Sequence, residues 1–170
     1  MKTKIIMLCL VLGSWEAFAQ HDHAAPADNK KTDQSISMFK DANLGAAYSH
    51  YVHLKDALVA SNSDEAKKGA SELEKALSGV SGSTAAGAAA LTIASSADLK
   101  EQRKAFSALS NEMASLVKGG KLSTSMLYLD YCPMANGNTG AFWLANEKDI
   151  RNPYFGDKML KCGSVKEMIH

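Results

Sequence analysis

The chain has 170 residues, 19 of them Lys or Arg and 18 Asp or Glu, giving a formal charge of +1. That balance excludes the strongly basic character that drives non-specific binding to nucleic acid or to an anionic membrane surface. The length suits a single core of ordinary size.

The first elements concern targeting. Lys2 and Lys4 precede an apolar run from Ile5 to Leu12, and Ala17-Phe18-Ala19 has the small-x-small pattern cut by signal peptidases. Residues 1–19 therefore predict a secretory signal peptide, with Gln20 as the mature first residue and a periplasmic or otherwise exported location. Cleavage removes Lys2, Lys4 and Glu16 and leaves a mature chain of zero formal charge. The apolar run is shorter than the roughly 20 residues that span a bilayer, and no later stretch is longer, so no membrane insertion is expected. Cys9 goes with the leader. Cys132 and Cys162 remain, an even count that outside the cytoplasm usually means a disulfide.

Residues 20–35 are polar and poor in large apolar groups, which predicts a flexible arm ahead of one domain over 36–170. Leu44, Ala47, Tyr48, Tyr51, Leu54 and Leu58 then recur at steps of three and four, predicting a helix from Met38 to Ala60. Asn62 followed by Glu65 is a capping signal, and Ala66, Ala70, Leu73 and Leu77 form the next stripe, predicting a helix over 63–78. Residues 85–94 are small and apolar and suit either a weak helix or a packed loop. Leu99, Phe106, Leu109, Met113 and Leu116 mark a further helix over 97–117, closed by Gly119-Gly120. Beyond Lys121 the period changes to two: Leu127, Leu129 and Tyr131 alternate with Tyr128 and Asp130, the pattern of a strand. The segments 136–140 and 152–156 are turn-rich. The fold class expected is mainly α: a small helical bundle of three or four helices with a short irregular, β-containing C-terminal segment.

Two tail segments carry the chemistry. Cys132-Pro133-Met134 and Met159-Leu160-Lys161-Cys162 each place a thiol and a thioether close together, and an extended chain would point Cys132 and Met134 to one side. If the segments meet, Cys132, Met134, Met159 and Cys162 form a soft site suited to Cu(I) or Ag(I). Trp143 between them could cover the ion with its ring face. The alternative is a Cys132–Cys162 disulfide closing a loop of about 30 residues, worth ~3 kcal/mol, with the methionines as core filler. The two states exclude one another, because an oxidised cysteine offers no thiolate.

The histidines give weaker sites. His50 and His53 are three apart on the first helix, a spacing that can chelate a metal; alternatively His50 flanks the core and His53 faces solvent. His21 and His23 sit near the new N-terminus, where trimming one residue would build a tetragonal Cu(II) site; otherwise they are incidental residues of the arm. Motifs for thiol exchange, haem attachment, zinc hydrolysis, phosphate cradling and serine nucleophiles are missing, so no enzyme is expected.

Tyr131-Cys132-Pro133-Met134-Ala135, Gly140-Ala141-Phe142-Trp143-Leu144, Ile150 to Gly156 and Met159 to Gly163, with Tyr48-Ser49-His50-Tyr51 and Leu54 to Val59 upstream, carry a resemblance over nearly the whole mature chain. It resembles a bacterial exported family known as domain of unknown function 3347, which is also similar to the C-terminal extension of periplasmic adaptor subunits of copper/silver efflux pumps. The resemblance implies copper handling, and as a partner an efflux adaptor or other envelope protein. It implies no catalytic residue.

Overall fold

The computed structural model describes residues 38–123 and 125–170. The predicted signal peptide, the arm and His21 and His23 lie outside the described residues. Among the described residues the fold is mainly α, as expected: four helices of more than two turns followed by a small antiparallel sheet.

Helix α1 (Ala42–Val59) starts four residues later than its apolar stripe suggests. Asp41 is the reason: its carboxylate accepts from the backbone N–H groups of Asn43 (2.9 Å) and Leu44 (3.4 Å) and fixes the first turn. Met38 and Phe39 ahead of it are buried but outside the helix, and Phe39 bridges to Leu122. Helix α2 (Ser63–Leu77) begins where the capping signal placed it, with Asn62 Oδ1 accepting from Glu65 N at 3.0 Å. The segment left open between helix and loop is helix α3 (Thr84–Ala94), which buries Ala86, Ala90 and Ile93. Its entry is fixed by Ser83, whose hydroxyl is placed at 2.6 Å from the Leu77 carbonyl and 2.8 Å from that of Val80, at the end of α2. Helix α4 (Leu99–Gly119) is capped by Asp98, which accepts from Lys100 N at 2.7 Å.

The C-terminal part is more regular than expected. Strands β1 (Leu127–Cys132), β2 (Ala141–Ala145) and β3 (Ser164–Ile169) form an antiparallel sheet in the order β2-β1-β3. A chain of ring contacts joins this sheet to the bundle. Phe39 meets Tyr48 at 5.3 Å, Tyr48 meets Tyr51 at 6.0 Å, and Tyr51 stacks on Phe106 at 5.3 Å. Phe106 then meets Tyr154 at 5.8 Å, and Tyr154 meets the edge of Trp143 at 6.0 Å. Each such pair adds about 0.5–1.5 kcal/mol beyond its buried area. Polar tips are satisfied along the way: the buried Tyr51 hydroxyl accepts from Leu144 N at 3.0 Å and shares a 2.8 Å hydrogen bond with Ser110. Burial pushes the Tyr51 phenol well above its ordinary pKa, so it stays a neutral hydrogen-bonding group. The sheet is thereby tied to α1 and α4, and its β1–β2 register sets where Cys132 and Trp143 stand.

Candidate metal centre

Cys132 ends β1, opposite Ala141 of β2, and is fully buried. Cys162 lies in the loop that leads into β3 and is half-buried. Both are free thiols, and the pairing of Tyr131 with Ser164 in the sheet register brings the Cys162 loop alongside Cys132. The neighbouring Cys132 side chain, with burial adding to it, pushes the Cys162 thiol up to about 11, so its proton is retained at neutral pH. The two cysteines therefore meet across 30 positions of sequence.

Asn152 does much to bring them together. Its buried side-chain amide donates to the Cys162 carbonyl at 2.7 Å, while its Oδ1 accepts from Tyr154 N at 2.8 Å. Its backbone N–H donates to Leu160 O at 2.9 Å, and Cys162 N donates to Met159 O at 3.0 Å, closing the loop on itself. Gly163 completes the approach. At φ +139° it occupies backbone space open mainly to glycine, and a Cβ there would lie 2.8 Å from the Trp143 ring and 3.1 Å from the Tyr131 carbonyl.

The turn that carries Asn152 is itself anchored on the bundle. Arg103 donates to the carbonyls of Pro153 (2.8 Å) and Leu58 (2.9 Å) and to Ser61 Oγ (2.9 Å). Tyr154 donates to Phe142 O at 2.6 Å. The predicted turn at 152–156 is thus a clamp that fixes one cysteine loop against the sheet. The sequence signal for it was the Asn-Pro-Tyr-Phe-Gly run, read as a turn but not as the support of Cys162.

The methionines are placed differently from the extended-chain expectation. The strand stops at Cys132, and Met134 takes helical backbone angles (φ −88°, ψ −10°) at the start of the turn Ala135–Asn138. The two-residue alternation is lost there, so Met134 is 49% exposed while Cys132 is buried. Met134 and Met159 line one groove of about 660 Å³ together with Tyr154, Phe155, Lys100 and Lys104. Met134 and Met159 thus share a groove whose lining includes neither Cys132 nor Cys162. Trp143 is fully buried, edge-on to Tyr154 and against Gly163, and so forms part of the wall around the cysteine loop.

His50 and His53 lie on the side of α1 that faces α2 and pair there with separate carboxylates. His50 Nδ1 is 3.5 Å from Glu72, and His53 Nε2 is 2.8 Å from Glu65. The His53 hydrogen bond holds the Glu65 carboxylate below its usual range. Acidic partners that spacing alone could not place are therefore supplied by α2. Among the described residues no group of three or more His, Cys, Asp or Glu side chains is arranged to hold a metal.

A polar cluster that periodicity did not reveal lies on β1. Alternation grouped Asp130 with Tyr128, yet Asp130 is fully buried, opposite Trp143. Burial pushes its carboxyl up to about 6; Lys55 and the Trp143 indole favour the charged form, and Glu147 opposes it. Burial wins because neither carboxylate oxygen, nor Trp143 Nε1, makes a hydrogen bond of ordinary geometry. Lys55 is also buried, with its Nζ 3.2 Å from Asp56 and 3.7 Å from Glu147.

Among the described residues no helix is long and apolar enough to cross a membrane. No curated protein and no solved structure matches the chain. The family match runs from within α1 to the approach to β1 and ends before Cys132, so both cysteine segments lie beyond it. Residues 47–125 match the model of the family described as "Protein of unknown function (DUF3347)".

Proposed function

We propose that this chain is an exported, periplasmic, non-enzymatic metal-binding protein that takes Cu(I) or Ag(I) at Cys132 and Cys162 for efflux, delivery or buffering. The observation that carries the reading is the juxtaposition of the two free thiols, held by the β1–β3 register, Asn152 and Gly163 rather than left to chance encounter. Thiolate and thioether sulfurs select soft monovalent ions over hard cations, and two opposed thiolates suit a low-coordinate Cu(I). Met134 and Met159 stand in the adjoining groove as additional ligands or as the entry route, and Trp143 closes the buried side. Because the Cys162 proton is tightly held, binding must displace it, and affinity for the ion must rise with pH. The partner in this reading is an efflux adaptor or another envelope protein.

The test is a competition titration of reduced protein against a chromophoric Cu(I) chelator. One equivalent should bind at the thiol pair, a C132S/C162S variant should lose that equivalent, and M134L/M159L should weaken it. Equal binding by the parent and the C132S/C162S variant would sink the reading.

A second reading rests on the same contact. The thiols are already adjacent, and an oxidant reaching the half-buried Cys162 would join them, giving a disulfide-stapled interaction module of an envelope complex.

A further inference from the structure

Four large apolar side chains stand exposed among the described residues, and three are methionines: Met126, Met134 and Met168. Met134 belongs to the groove above. Met126 and Met168 do not, and they are more than 30 positions apart in sequence, yet the sheet register brings them to one place. Tyr128 pairs with Met168 and Leu127 with Ile169. One step further, Met126 and His170 flank the end of the same ladder.

Side chains alternate along a strand, and directly opposed residues share a face. Leu127 (0% exposed) and Ile169 (7%) turn inward, so Tyr128 and Met168 share the opposite face, and alternation carried one residue further puts Met126 and His170 with them. Met126 is 39% exposed and Met168 54%, and His170 is exposed. Opposed Cβ atoms in such a ladder lie roughly 4.5–5.5 Å apart and diagonal neighbours roughly 7–8 Å. Flexible methionines can converge across that span.

We propose that Met126, Met168 and His170 form a second soft-metal site, binding Cu(I) or Ag(I) through two thioethers and one imidazole at the open end of the β1–β3 ribbon. Thioether sulfur excludes hard cations, and imidazole is compatible with copper, so the donor set is selective in the same sense as the thiol pair. It differs in one respect. It contains no thiol, so it stays competent when Cys132 and Cys162 are joined, and it binds without displacing a thiol proton. The site is independent of the cysteine reading and stands or falls separately.

Silver(I) is the probe, since it mimics Cu(I) without changing oxidation state. In the reduced chain labelled at its methionine methyls, the second Ag(I) equivalent, after the thiol pair has taken the first, should move the Met126 and Met168 methyl resonances together with the His170 ring signals. The buried Met113 should not respond. The M126L/M168L variant should lose this equivalent while the thiols still bind theirs, and H170A should weaken it. If the thiol pair binds no metal, the same resonances move with the first equivalent instead of the second. Methyl signals of Met126 and Met168 unmoved past two equivalents, or an unchanged silver stoichiometry in M126L/M168L, would overturn the proposal. Met168 would then be only a sulfur–aromatic neighbour of Tyr128.

Discussion

Asn152 holds the Cys162 loop in place: its buried amide donates a 2.7 Å hydrogen bond to the Cys162 carbonyl while its oxygen accepts from Tyr154 N. Removing it strands a buried carbonyl and a buried N–H together. The Asn152→Ala change is expected to cost about 2–4 kcal/mol in urea denaturation, from two lost bonds and the groups left unpaired. Asn152→Asp restores the acceptor for Tyr154 but not the donor for Cys162. It should recover part of the stability while leaving the cysteine loop displaced, read as an altered rate of disulfide formation between Cys132 and Cys162.

Gly163 gives a steric counterpart. A Cβ there would press on the Trp143 ring at 2.8 Å and on the Tyr131 carbonyl at 3.1 Å, in a backbone region that disfavours side chains. Gly163→Ala is expected to destabilise by about 1–3 kcal/mol. Trp143 fluorescence should change with it, because the indole must move to make room. An unchanged emission spectrum together with unchanged stability would show that the close approach is not real in solution.

Asp130 predicts a pH signature. Its folded pKa of about 6 lies above the ordinary carboxylate value near 3.9, so between those values the folded state holds a proton that the unfolded state has released. Stability from this group is present below about pH 4 and is lost as pH rises to about 6. The loss is on the order of 3 kcal/mol. The Asp130→Asn variant removes the dependence. The difference in stability between parent and variant should therefore shift in favour of the variant from pH 4 to pH 7, and chemical denaturation at those two values checks it. A difference that does not vary with pH would place Asp130 in contact with water.

Oxidation should stabilise. Joining Cys132 to Cys162 closes a loop of about 30 residues, expected to add roughly 3 kcal/mol by restricting the unfolded chain. Thermal melts with and without reductant read this directly. Alkylation of the native protein does not report redox state on its own, because Cys132 is fully buried and Cys162 keeps its proton to about 11. Intact mass after alkylation in denaturant separates free thiols from a disulfide.

The parts of this fold that were legible in the sequence are those fixed by local rules. Helices α2 and α4 follow from a cap and an apolar stripe, and β1 from a period of two. Helix α3 could not be settled, because small apolar residues pack equally well in a helix or a loop, and Ser83 decides it through carbonyls of α2. Strand β3 was missed because it is a largely exposed strand on the sheet edge, without a strong apolar alternation. The cysteine pair was readable as residues with chemistry. Its supports were not, since Asn152, Arg103 and Gly163 act over distances that only the folded chain defines. Asp130 was misplaced for the same reason: alternation assigns a face, while its burial comes from elements remote in sequence.

The central claim is that the Cys132–Cys162 thiol pair is a Cu(I) site. The most direct measurement is copper K-edge X-ray absorption on reduced protein carrying one Cu(I) per chain. A first shell made of sulfur alone, lost in the C132S/C162S variant, is the predicted result. A first shell of nitrogen or oxygen, or a spectrum unchanged in that variant, would contradict it.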